Sequence, residues 1–134
     1  MSSAQHQPPL EYFLERSLGK LTGDGLRSHG WVIHPIHEYF ENHGQDTPDE
    51  AWIEFGCQQG WVCLTKDRHI RYRASEIGAL TRGHIFCIAD GNLRLDQMIE
   101  RFVAARPAIE RGVATYDIGF WHVYADGAVK RMWP

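Results

Sequence analysis

Cysteine is scarce in this 134-residue chain, with Cys57, Cys63 and Cys87 as the whole complement. An odd number, wide spacing and apolar neighbours exclude a disulfide framework or a CxxC zinc knuckle. Buried free thiols are the reading that remains. Long hydrophobic runs are lacking as well: no apolar stretch approaches the roughly 18 residues needed to span a bilayer, so no membrane is expected. The N-terminus lacks a basic segment leading into an apolar core, so Met1 to Pro9 reads as a disordered polar lead rather than a signal peptide, and a cytoplasmic location follows. Excess positive charge is missing too. A net charge of −3 gives no general attraction to nucleic acid, so such a partner would need a local basic patch. There is no internal repeat and no low-complexity segment.

What is present is a globular composition, 43% hydrophobic and 23% charged, of a length suited to one domain, placed at residues 10–134. Residues 10–15 read as a strand and Arg16 to His29 as a helix with Leu18, Leu21 and Leu26 partly on one face, closed by Gly30. Trp31 to His34 is a second strand ended by Pro35. Thr47-Pro48-Asp49-Glu50 opens a second helix as a capping box, which runs to Gln59 and stops at Gly60. Trp61 to Leu64 is a third strand. A short helix near Ser75 to Arg82, a strand over His84 to Ile88 and a helix over Leu95 to Ala105 follow, the last with Met98, Ile99, Phe102 and Val103 on its buried face. Phe120 to Tyr124 and Ala128 to Met132, joined through Asp126-Gly127, form a C-terminal β-hairpin.

Strands alternating with helices predict an α/β fold with a mainly parallel central sheet covered on both faces. In such sheets ligands bind at the carboxyl edge. Glu15 ends the first strand and Asp67 lies just past the third, which places both on that edge; Asp49 opens the helix leading into the third strand and reaches the edge through the preceding loop. Clustered carboxylates repel one another unless a cation sits among them, so the cluster implies a metal. Hard oxygen donors point to Mg²⁺ or Mn²⁺, able to activate water and neutralise charge on a phosphodiester. Lys66, Arg68, Arg71 and Arg73 supply the basic patch that could hold a nucleic-acid backbone. Asn92, just past the fourth strand, is a further candidate near the edge.

The segments YFLERSLGK, PDEAWI, WVCLTKDRHI and HIFCIADGNL, in that order over about residues 10–105, resemble the PIN-like ribonucleases, in particular the VapC-type toxins of bacterial toxin–antitoxin pairs. The resemblance implies a three-layer α/β/α sandwich and a metal-dependent endoribonuclease that hydrolyses RNA phosphodiester bonds. It also implies a small antitoxin protein as partner and a homodimer. Glu15, Asp49 and Asp67 match the family's catalytic, metal-holding acids, with Lys66, Arg68, Arg71 and Asn92 toward the substrate. Glu15 departs from the family's usual Asp in a stretch like FLDRSLG, and the extra methylene displaces a ligand by one carbon–carbon bond. That departure keeps open an alternative, a catalytically weak or inactive relative that binds RNA or a protein partner.

Ordinary roles compete at each position. An acid in a first helical turn, such as Asp49, stabilises the helix whatever else it does, and Glu50 is explained as a capping partner. Asp67 could be a turn-forming residue and the basic run a solvated face. His34 and His37 have HxxH spacing, but Pro35 breaks the helix that would align them on zinc. Trp31, Trp52 and Trp61 read as core rather than a base-stacking platform. A receiver-type phosphoacceptor fits poorly, because Leu14-Glu15-Arg16 supplies one acid where that site needs adjacent ones.

Overall fold

A computed structural model describes residues 9–72 and 78–134. The expected lead lies almost wholly outside the described residues, as do Arg73, the Arg71 side chain and residues 75–77 of the short helix expected over Ser75 to Arg82; of the described remainder Gly78 and Ala79 are helical and Leu80 to Arg82 are not. The chain runs β1 (Glu11–Leu14), α1 (Lys20–Ser28), β2 (Val32–Pro35), α2 (Asp49–Gln59), β3 (Val62–Thr65), β4 (Gly83–Ile88), α3 (Leu95–Thr115), β5 (Ile118–Val123) and β6 (Val129–Trp133), with short 3-10 turns between. Its sheet has the order β2-β1-β3-β4-β5-β6. The pairings from β2 to β5 are parallel, and β6 closes the edge antiparallel to β5.

Alternation along the strands builds two cores. Tyr12 and Leu14 of β1, Val62 and Leu64 of β3, Phe86 and Ile88 of β4 and Trp121 of β5 face one side. There they meet Leu26 of α1 and Met98, Phe102 and Ile109 of α3. The intervening residues Phe13, Cys63, Ile85, Cys87 and Phe120 face the other side, against Trp52, Ile53 and Cys57 of α2. Helices on both faces make the three-layer α/β/α sandwich, and the hairpin forms where Asp126-Gly127 predicts it. The three thiols are buried and free, and Trp31 and Trp52 are core.

Three local expectations change. The helix expected over Arg16 to His29 is broken: Glu15 caps a 3-10 turn at Arg16–Leu18, and α1 begins only after Gly19, whose φ of 80° is left-handed. At α2 the capping box does not form. Pro48 itself occupies the N-cap with no side-chain cap, which makes Asp49 the first helical residue. The helix expected to end at Ala105 runs on through Pro107 to Thr115, because Ile109 and Gly112 continue its buried stripe. Burial of that extra stripe outweighs the cost of one missing backbone donor.

Strand order positions the site. Connections leave β1 toward β2 in one direction, whereas β3, β4 and β5 extend in the other, so the topological switch point lies between β1 and β3. Glu15 and Asp67 stand astride it. Helix α2 ends at Gln59, just before β3 begins at Val62. Its 11 residues, at about 1.5 Å rise each, carry its first turn back to the carboxyl edge, bringing Asp49 to the same side of the molecule.

Candidate functional site

Glu15 extends the sheet by one more bond, its amide donating to Leu64 O at 3.0 Å. That bond anchors its backbone beside the end of β3. Its carboxylate is then held from several directions. Thr65 Oγ1 donates to Glu15 Oε1 at 2.6 Å, Ser17 Oγ donates to the same oxygen, and the Ser17 amide donates to Oε2 at 3.0 Å. Each hydroxyl also accepts a backbone donor: Thr65 Oγ1 from the Asp67 amide at 3.0 Å, and Ser17 Oγ from the Lys66 amide at 3.2 Å. Thr65 is fully buried. The result is a continuous hydrogen-bonded bridge from Glu15 through Thr65 to the backbone that presents Asp67.

Asp67 turns back on its own loop, with Oδ1 accepting the His69 amide at 3.0 Å. Its side chain lies beside a groove of about 470 Å³ lined by Lys66, Asp67, Arg68, Ala89, Asp90 and Asn92, among others. Lys66, Arg68 and Asn92, expected from sequence to face substrate, therefore gather with Asp67. Arg68 is further fixed by a 3.4 Å bond from its guanidinium to Ala89 O. Asn92 donates its backbone amide to Asp90 Oδ1 at 3.0 Å.

Asp49 opens α2, in the helical layer that covers one face of the sheet. Its Oδ1 accepts the buried Trp52 indole N–H at 2.8 Å, which fixes the carboxylate one turn above the core. The structure thus brings Glu15 and Asp67 together across Thr65, with Asp49 placed at the edge by α2. Among the described residues, no three His, Cys, Asp or Glu side chains stand close enough to hold an ion between them.

The electrostatics mark the same spot. Cys87 pairs with Thr65 in the β3–β4 register. Its buried thiol is pushed up to about 12, by desolvation first and then by the negative charges of Asp67 and Glu15. Both carboxylates project their field onto the end of β4. The accessible donors among the described residues here are hard oxygens, of Glu15, Asp67, Ser17 and Asp90, while the Cys87 sulfur is buried. That set suits a hard divalent cation, and Mg²⁺ commonly binds through one or two carboxylates plus water.

Sequence reasoning missed Ser17, Thr65 and Asp90. The signals were present: a hydroxyl residue two positions after Glu15, another two positions before Asp67, and an acid just past the apolar run of β4, placed much as Asp67 is past β3.

Comparison with known proteins agrees with this architecture. Residues 10–90 match the family model described as a PIN like domain. The chain is 30% identical over 103 residues to a protein of Mycobacterium tuberculosis (strain H37Rv) named "Putative ribonuclease VapC45", spanning 74% of this chain and 75% of that protein. No solved structure matches.

Proposed function

We propose that this chain, which belongs to the PIN-like domain family, is a metal-dependent endoribonuclease, the toxin of a toxin–antitoxin pair acting in the cytoplasm. The observation that carries the reading is the Glu15–Thr65–Asp67 bridge at the switch point of the sheet. The name of the mycobacterial relative points to the same chemistry and to a small antitoxin as partner. Glu15 and Asp67 would hold Mg²⁺ or Mn²⁺, with Asp49 approaching from α2. A bound ion of this kind supplies an activated water and offsets charge developing on phosphodiester oxygens.

The chain's own groups do the remaining work. Ser17 and Thr65 lock the Glu15 carboxylate in one rotamer, which matters because such sites tolerate displacements of only about half an ångström. Lys66 and Arg68 bind RNA phosphates beside Asp67, and Asn92, with Asp90, forms the far wall of the groove. Arg71 belongs to the same basic run and is proposed to extend the backbone contact.

One observation favours a second reading, a PIN-like protein that binds RNA without cutting it. Both Glu15 oxygens already accept hydrogen bonds from Ser17 and Thr65, leaving fewer lone pairs for a metal. Incubation with single-stranded RNA in Mg²⁺ or Mn²⁺ separates the two. Cleavage that disappears in a folded Asp67→Asn variant supports the nuclease, and intact RNA with both metals across several RNAs refutes it.

A further inference from the structure

A second cavity flanks the bridge on the side away from the Asp67 groove. It encloses about 290 Å³ and is lined by Leu14, Glu15, Arg16, Gly19, Lys20, Pro35, Ile36, His37 and His43. Its location follows from the strand order: the Asp67 groove covers the ends of β3 and β4, and this cavity covers the ends of β1 and β2. Glu15 and Thr65 form the divide between them. A single strand laid along the carboxyl edge would meet the cavity, the bridge and the groove in turn.

The lining has two kinds of surface. Leu14, Pro35 and Ile36 are buried and make an apolar floor. Arg16 and Lys20 are exposed at the rim, and among the described residues neither forms an ion pair. Lys20 opens α1, a position where a cation opposes the helix dipole, so helix stability does not account for it. The histidines complete the wall: the His37 and His43 rings lie 6.2 Å apart at 51°.

His43 is held there against local preference. Asn42 and His43 both adopt left-handed backbone, with φ of 53° and 57°, a conformation that residues other than glycine take at a cost and that clusters at functional sites. The next residue, Gly44, packs so tightly on Ile36 that a Cβ would lie 2.8 Å from its Cδ1. That contact clamps the His43 loop onto the cavity floor.

We infer that this cavity is a nucleotide subsite, receiving one unpaired nucleotide of an RNA strand whose neighbouring phosphodiester lies at Glu15 and Asp67. The base rests on the Leu14, Pro35 and Ile36 floor against the imidazoles of His37 and His43, and the phosphate meets Arg16 and Lys20. Histidine rings serve as stacking partners for splayed RNA bases, and the volume sits at the lower end of the roughly 300–1,000 Å³ spanned by small-molecule pockets, which suits one nucleotide. A basic peptide tail is disfavoured by the two rim cations. The inference deepens the nuclease reading and rests on it for the place of the scissile bond.

The test is fluorescence anisotropy of a short single-stranded oligoribonucleotide with the full chain in EDTA, where metal-dependent cleavage is prevented and only binding is read. His37→Ala with His43→Ala should weaken binding about tenfold, the scale of a lost stacking platform, at an unchanged melting temperature. Lys20→Glu, at an exposed position that folding tolerates, should weaken it too, and Lys20→Ala should reduce the slope of log affinity against log salt by about 0.7. Parental RNA affinity in the Lys20→Glu variant and in the histidine pair overturns the subsite. The two readings fail separately. RNA cleavage with an unchanged KM in the histidine pair removes the subsite and keeps the nuclease, whereas weakened binding in a chain that cuts no RNA with either metal does the reverse.

Discussion

The Thr65 hydroxyl donates to Glu15 Oε1 at 2.6 Å while accepting the Asp67 amide, so one buried side chain serves both acids of the proposed site. Thr65→Val keeps the volume and removes both bonds. It should lower unfolding stability by about 1–3 kcal/mol, the range for a buried polar group that loses its partner. Urea denaturation measures this, and Thr65→Ser should recover most of the loss. A Thr65→Val protein as stable as the parent would mean the bridge contributes nothing.

Metal binding should appear as thermal stabilisation. An ion held only by the folded state at about 100 times its dissociation constant adds about 2.7 kcal/mol, read as a higher melting temperature in Mg²⁺ or Mn²⁺ than in EDTA. Asp67→Asn should erase most of that rise, and Asp90→Asn should reduce it if Asp90 reaches the ion through water. A rise of equal size in all three proteins would place the ion elsewhere.

His84 predicts a weakness on the acid side. Trp121 donates its indole N–H to His84 Nδ1 at 3.0 Å, and His84 Nε2 bonds to Tyr116 O at 2.8 Å, an arrangement that requires the neutral ring protonated at Nε2. Burial, the leading cause, lowers its pKa below the ordinary 6.5. The unfolded chain therefore takes up a proton first as pH falls. The contribution to stability is complete above about pH 6.5 and declines as pH drops through that value toward the folded-state pKa. Denaturation midpoints of the parent and of His84→Gln between pH 5 and pH 8 test the sign: the parent should lose more stability toward pH 5.

Gly56 sits where α2 crosses the sheet, and an added Cβ there would lie 2.7 Å from Cys63 Sγ and 3.3 Å from Phe13 Cδ2. Overpacking of this kind costs about 1–3 kcal/mol, against a gain of about 0.8–1 kcal/mol from replacing a helical glycine with alanine. The clash should win, giving Gly56→Ala a net loss near 1 kcal/mol. Combining it with Cys63→Ala, which removes the obstructing sulfur, should be markedly less harmful than the sum of the single changes. Strict additivity would show that α2 moves freely over β3.

Parts of the fold and site were legible because the signal was local. Asp67 follows a short apolar run, Gly60 stops α2 in left-handed geometry, and Asp126-Gly127 closes the hairpin. The failures were local rules overridden by packing. Pro48 displaced Thr47 from the N-cap, and Pro107 did not end α3 because Ile109 and Gly112 were buried beyond it. Ser17 and Thr65 escaped notice because a hydroxyl near a strand end is common, and its partner is visible only after the strands are paired.

By itself the sequence determined the alternation of strands and helices, the carboxyl edge on which Glu15 and Asp67 lie, and the hairpin, since periodicity and turn chemistry act over a few residues. The tertiary structure alone decided that β1 and β3 are neighbours, that Thr65 joins acids from both, and that His37 and His43 wall a cavity beside them. Those outcomes depend on strand order and register, which are set by burial of whole faces of the sheet and leave no mark in any short stretch of chain.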